Sequence, residues 1–126
     1  MSIEENSSIA RRFIETMHEG HFDLLAEDGT FWVSGSTPFS GTKTKPEMVA
    51  LFEALKTISD DRLVMRITSM TAQDDRVALE AEAGMTLHNG RRYANQYNTL
   101  LVIRDGLVRS VKEYSDTAHM LEIFGA

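Results

Sequence analysis

The fold is decided by the last third of the chain, Arg91–Ala126, which reads RRYANQYNTLLVIRDGLVRSVKEYSDTAHMLEIFGA. Apolar runs lie on both sides of Arg104-Asp105-Gly106, and Asp-Gly between apolar runs is a strong β-hairpin signal. The sequence therefore predicts two long strands, at about Arg92–Arg104 and Leu107–Tyr114. Asp116 then caps a short final helix.

Ionisable residues stand at the end of the second of these strands, where packed residues are expected. The strand ends in Glu113-Tyr114-Ser115-Asp116. Ionisable groups within a strand that covers a core are typical of a ligand pocket. We therefore expect a cavity at this end of the sheet.

The rest of the chain predicts helices followed by further strands. Ile9, Phe13 and Met17 recur at helical spacing, and Gly20 follows as a stop signal. Thr44-Lys45-Pro46-Glu47 has the form of a capping box with proline in the first turn. The predicted elements are a helix from about Ser7 to Gly20, a short turn within His21–Ala26, a strand at Thr30–Ser34, a loop at Gly35–Lys43, a helix from Thr44 to Leu55, and strands at about Leu63–Ala72 and Arg76–Leu87.

Helices that precede a long run of strands indicate an α+β fold. The predicted strands, about 10 to 13 residues long, exceed the usual length of about 5 to 6. We expect them to form a cone-shaped, curved antiparallel or mixed sheet that wraps around the N-terminal helices and has an interior. Leu100–Ile103 is apolar on both faces of its strand. A second copy of the chain is therefore expected to cover the outer face as a homodimer.

Length and composition narrow the possible partners. The 126 residues predict a single domain, 1–126. The net charge of -6 argues against a nucleic-acid or anionic-membrane partner, because either would need a basic surface. No stretch approaches the ~18 apolar residues of a membrane span, and the chain has no cysteine for disulfides or thiolate chemistry. A cytoplasmic protein is expected.

The whole chain resembles the SnoaL-like, ketosteroid-isomerase-like branch of the nuclear transport factor 2-like superfamily. The matching segments are the opening helix, Phe31-Trp32-Val33 with the Ser34–Thr42 loop, the Lys45–Leu55 helix, Gly90–Tyr97, and Ile103–Gly106 through Glu113–Thr117. The resemblance implies an α+β cone, usually a homodimer, with an apolar interior pocket. Members use that pocket for isomerisation, polyketide cyclisation, epoxide hydrolysis, dehydration or simple binding, so the fold does not determine the reaction.

Only part of the family's catalytic residues can be carried over. In relatives that resemble limonene epoxide hydrolase, an Arg and an Asp stand two apart on one central strand, and another Asp ends the last strand. Here the last acid falls on Glu113, whereas the Arg and Asp positions fall on Glu82 and Gly84. The tyrosine that ketosteroid isomerases carry on helix one is also missing, because Phe13 and Met17 occupy that stripe.

Glu113 is the main candidate for proton transfer. If Val111 and Glu113 face the pocket, burial raises the pKa of this carboxyl into the working range of a general acid or base. The alternative is a structural ion pair with Arg92 or Arg109. Glu82 is a second candidate acid, although two acids on one strand face also fit a solvated edge.

Five further residues complete the candidate site. Tyr97 and Asn95 share a strand face and are expected to hold a developing oxyanion, or else to bond within the sheet. Trp32 is expected to line the pocket mouth, or else to pack in the core. Asp116 and His119 are candidate ligand contacts at the entrance, with a helix cap and a surface histidine as their alternatives.

No metal and no cofactor are expected. The four histidines, at positions 18, 21, 88 and 119, are dispersed and form no metal-ligand motif. Two classes of function stay open. The first is a cofactor-free acid–base enzyme acting on a small apolar or cyclic ligand, and the second is a binding or dimerisation module that has lost the chemistry.

Overall fold

The computed structural model describes residues 2–125, in which three α-helices accompany one six-stranded mixed sheet. The sheet order is β2-β1-β6-β5-β4-β3, in which β1 and β6 are parallel and the other neighbours antiparallel. This confirms the α+β class with a curved sheet around the helices. The elements are α1 (Ile3–Glu15), a 3-10 turn (Met17–Glu19), β1 (Leu25–Val33), β2 (Gly41–Thr44), α2 (Lys45–Leu55), β3 (Val64–Gln73), β4 (Arg76–Thr86), β5 (Arg92–Arg104), β6 (Leu107–Ser115) and α3 (Thr117–Phe124).

The β5–β6 hairpin lies where the sequence predicts it. Asp105 and Gly106 have φ angles of 54° and 79°, the left-handed values that both central residues of a type I′ turn require. Burial alternates along β5, so the odd-numbered residues from Tyr93 to Ile103 face the interior and the even-numbered ones face outward. This alternation decides which side chains reach the interior.

The first half of the chain differs from prediction at three boundaries. Helix α1 begins at Ile3 rather than about Ser7, because Ser2 and Glu5 form a capping box. Strand β1 begins at Leu25, inside the predicted turn, and its register shifts between Leu25 and Thr30. Strand β2 occupies the end of the predicted loop, because four residues without apolar alternation give no strand signal.

Helix α2 begins where its capping box predicts. The backbone N–H of Glu47 donates to the Thr44 hydroxyl at 3.3 Å, and the backbone N–H of Thr44 donates to the Glu47 carboxylate at 2.9 Å. The helices pack against one face of the sheet and form its core with that face. No helix within residues 2–125 is both long and apolar enough to cross a bilayer.

Candidate functional site

A cavity of about 200 Å³ lies between the inner face of the sheet and the helices. Aromatic and aliphatic side chains form most of its wall, together with four methionines, Met17, Met48, Met65 and Met120. Methionine is flexible and polarisable, so such a wall adapts to an irregular apolar ligand. The polar groups that line it are Lys43, Tyr93, Tyr97 and Glu113.

Glu113 lies on the inner face of β6, opposite Val33 of β1 and Thr99 of β5. The residue is 8% exposed. Burial raises the pKa of its carboxyl to about 8, while the charge of Lys43 acts in the opposite direction. Within residues 2–125 no hydrogen bond to the carboxyl offsets this burial. A carboxyl that changes protonation near neutral pH is suited to both donating and accepting a proton.

Two phenols face the same cavity from β5. The hydroxyls of Tyr93 and Tyr97 are hydrogen bonded to each other. Burial raises the pKa of Tyr93 to about 12, and burial also raises the pKa of Tyr97 strongly. Both phenols therefore keep their protons at neutral pH and act as hydrogen-bond donors.

The orientation of the Asn95 side chain determines whether the two phenols have a proton available for a ligand. Its side-chain oxygen accepts the backbone N–H groups of Gln96 and Asp116, at 2.7 and 3.1 Å. Its amide nitrogen must then point the other way, and it donates to the Tyr93 hydroxyl at 2.9 Å and to the Asp116 carbonyl at 3.1 Å. The two phenols hold two protons, and only one can lie between their oxygens. The other has no acceptor among residues 2–125 and is free to bind a ligand in the cavity.

We expect Asn95→Ala to lower the free energy of unfolding by about 2–4 kcal/mol. The substitution removes four hydrogen bonds of a buried side chain and leaves the backbone of Asp116 without those partners. Urea denaturation measures the change. Asn98→Ala on the exposed face of the same strand is the matched control and should change stability by less than about 0.5 kcal/mol. Equal effects for the two variants would contradict the role assigned to this network.

Two predicted site residues lie outside the cavity. Glu82 is on the outer face of β4, where its side chain is 48% exposed and pairs with Arg66, so it does not face Glu113. Trp32 also points outward, and its ring lies edge-on to Tyr114 with centroids 5.3 Å apart. The predicted pocket roles of Glu82 and Trp32 are therefore wrong, because each lies between two inward-facing neighbours of its strand and so faces away from the helices.

Three other residues that were predicted to contact the ligand, Asn95, Asp116 and His119, lie behind the residues that line the cavity. Asp116 caps α3 by accepting the backbone N–H of His119 at 3.2 Å. His119 accepts the backbone N–H of Ala94 at 3.1 Å and stacks on Tyr93 with ring centroids 5.5 Å apart. None of the three, Asn95, Asp116 and His119, lines the cavity. Asn95 and His119 contact Tyr93 instead of a ligand, and the side chain of Asp116 is the helix cap that the sequence also allowed.

Two of the four polar lining residues, Tyr93 and Lys43, were not among the predicted site residues. Tyr93 had a usable signal, since it shares the face of Asn95 and Tyr97 at a spacing of two. Lys43 had none, because its strand was predicted as a loop. Within residues 2–125 no group of three or more His, Asp or Glu side chains is arranged to hold a metal ion.

The chain is similar to one known protein family and to several solved structures. The family model of the SnoaL-like domain matches residues 10–111, and the search of curated proteins found no match. The chain is similar to PrhC from Penicillium brasilianum, with a TM-score of 0.84 and 18% identity over 96% of this chain and 86% of that one. It is also similar to an NTF2-like protein of unknown function from Burkholderia pseudomallei, with a TM-score of 0.79 and 24% identity over 100% of both chains. For the BvnE pinacolase from Penicillium brevicompactum, the TM-score is 0.84 and the identity 15% over 94% and 88% of the two chains. Likeness at these identities shows the fold alone.

Proposed function

Because this chain belongs to the SnoaL-like domain family, we propose that its cavity binds a small apolar or cyclic molecule and that the protein is a cofactor-free acid–base enzyme. The observation that carries the proposal is a carboxyl with a raised pKa in the same apolar cavity as a phenol pair with one free proton. Isomerisation, cyclisation, hydration and hydrolysis all fit this pair of groups. One neighbour of the same fold is a pinacolase, which supports a catalytic use of such a cavity.

Glu113 and the phenol pair would have complementary roles in one reaction. Glu113 would transfer the proton, and the phenol pair would stabilise the negative charge that develops. The carboxylate form of Glu113 removes a proton from the bound molecule or from water, and the carboxylic acid form returns it. The free phenol proton donates to the oxygen on which negative charge develops. Both forms of Glu113 are populated near neutral pH, because its pKa is raised to about 8. Tyr97 is the phenol of the pair that we assign to this catalytic donation, and Asn95 and His119 position its partner Tyr93.

The alternative is a non-catalytic module that binds a ligand or dimerises. The absence of the Arg–Asp pair at Glu82 and Gly84 favours it, as do the apolar residues Phe13 of helix α1 and Met17 of the 3-10 turn that follows it. Neither observation removes the carboxyl from the cavity. Whether Glu113 transfers a proton therefore distinguishes the acid–base enzyme from the non-catalytic module.

The homodimer and the cytoplasmic location stay predictions. The outer face of the sheet is less apolar than the sequence suggested, because Glu80, Glu82 and Arg92 lie on it. Leu100 and Val102 remain half-buried on the same face. We propose that a second copy of the chain packs over this apolar part.

Ligand binding can be observed at the methionines that line the cavity. With methyl-labelled methionine, a ligand in the cavity is expected to shift the NMR signals of Met17, Met48, Met65 and Met120. Met70, which packs against the core away from the cavity, is the internal control. A screen of small cyclic ketones, acids and terpenoids supplies the probes. Binding that shifts Met70 but none of the cavity methionines would contradict the assigned site.

A further inference from the structure

Lys43 brings a positive charge to the wall of the cavity. In β2 it pairs with Phe31 of β1, so both lie on the inner face, and its side chain lines the cavity. Its Nζ donates to the backbone carbonyl of Ser40 at 3.5 Å, which is at the limit of a hydrogen bond. Within residues 2–125 no carboxylate oxygen lies within 4.0 Å of this Nζ. An ammonium has three donors, and two of them have no acceptor among residues 2–125.

The charge of Lys43 acts on two acids without pairing with either. Glu113 lines the same cavity, and its protonated form predominates at pH 7, because burial raises the pKa of that carboxyl to about 8. Glu47 lies in the first turn of α2, and its carboxylate accepts the backbone N–H of Thr44 at 2.9 Å. That bond and the nearby charge of Lys43 lower the pKa of Glu47, but its carboxylate stays in the helix cap. Lys43 is therefore the one cation among the described residues that line the cavity, and no carboxylate of residues 2–125 pairs with its ammonium.

The size of the cavity limits the rest of the ligand. A cavity of about 150 Å³ lined by aliphatic and aromatic side chains accommodates benzene. The present cavity, at about 200 Å³, accommodates one ring with short substituents and is too small for a fused four-ring skeleton. The methionine and aromatic wall suits the ring, and it leaves the polar end of the ligand to the four polar lining residues.

We propose that Lys43 makes the cavity selective for a monocyclic molecule with an anionic oxygen, such as a carboxylate or an acidic enol. The inference rests on the proposed function and specifies its substrate class. The anionic oxygen would accept from the ammonium of Lys43, and the ring would fill the apolar part of the cavity. A second oxygen of the ligand would then meet the free phenol proton and Glu113.

The test compares an acid with its uncharged counterpart. The probes are cyclohexanecarboxylate and cyclohexanecarboxamide, and binding at pH 7 is followed by the methyl signals of the cavity methionines. The parent protein is expected to bind the carboxylate roughly 10- to 100-fold more tightly than the amide. Lys43→Met should abolish this preference, and Lys43→Gln serves as a second variant of similar reach. Lys112→Met on the outer face of β6 is the matched control and should keep it.

The outcomes separate this inference from the proposed function. If the amide binds as tightly as the acid, or if the preference survives Lys43→Met, the selectivity assigned to Lys43 is wrong while the cavity still binds an apolar ring. If neither probe shifts a cavity methionine in the parent protein, the substrate class is wrong as well. A preference that Lys112→Met also abolishes would show a general charge effect and overturn the inference.

Discussion

The stability of a Glu113→Gln variant, relative to that of the parent protein, is expected to rise with pH between about 4.5 and 8. Burial raises the pKa of Glu113 from 4.5 to about 8 in the folded protein, whereas the unfolded chain titrates near 4.5. Within that window the folded state binds more protons than the unfolded state. The contribution of Glu113 to the stability of the folded protein is therefore greatest below pH 4.5 and is lost progressively as the pH rises towards 8.

The expected effect is large for a single side chain. Each pH unit inside the window lowers the free energy of unfolding by up to about 1.4 kcal/mol, or about 3 to 5 kcal/mol over the whole window. A Gln side chain does not titrate, so the unfolding free energy of the Glu113→Gln variant does not fall with pH for this reason. A buried amide without partners costs about 1–3 kcal/mol, but this cost does not change with pH.

The measurement is urea denaturation of both proteins at several pH values between 4.5 and 9. The difference in unfolding free energy should rise through the window and level off above about pH 8. Glu82→Gln, at an exposed site on the outer face, is the matched control and should show no comparable slope. A Glu113→Gln variant whose difference from the parent is flat across this range would rule out a buried, protonated carboxyl.

The same substitution should lower turnover by ~10²-fold or more once a substrate is known. Gln keeps the shape of the side chain but neither donates nor accepts the transferred proton. Binding should persist, because most of the cavity wall is apolar and is left unchanged. Kinetic constants give the first quantity, and the shifts of the cavity methionines give the second.

The control for this prediction is again Glu82→Gln, which should leave turnover unchanged. Unaltered turnover in Glu113→Gln would favour the non-catalytic module. A loss of binding together with turnover would show that Glu113 holds the ligand instead of moving its proton.

The last hairpin was predictable because its signals are local. The Asp-Gly turn and the apolar runs beside it define β5 and β6, and the placement of Glu113 on the inner face follows from the parity of Val111. The predictions for Glu82 and Trp32 were wrong because they assigned each side chain to the inner face of its strand, although it lies on the outer face. The apolar residues beside them, Ala81 and Ala83 in β4 and Phe31 and Val33 in β1, already indicate that both side chains face outward.

Other features depend on contacts between distant segments and had no sequence signal. Strand β2 is only four residues long and forms because β1 provides its hydrogen-bonding partner. Two of the four hydrogen bonds of Asn95 join β5 to Asp116 at the start of α3, 21 residues away. The cavity position of Lys43 follows from β2 and could not be inferred before that strand was placed. The position of Tyr93 did have a sequence signal, because it shares the face of Asn95 and Tyr97 in β5, but its hydrogen bond to Asn95 did not.

Titration of Glu113 itself tests most directly whether this carboxyl is buried and has a raised pKa. In protein labelled with carbon-13 at glutamate carboxyls, the Glu113 signal is identified by its absence from the Glu113→Gln variant and followed by NMR from pH 4 to 10. We expect a midpoint at about 8, because burial raises the pKa of this carboxyl. A midpoint near the ordinary value of 4.5 would show an ionised, solvated carboxylate and would contradict the proposed role of Glu113.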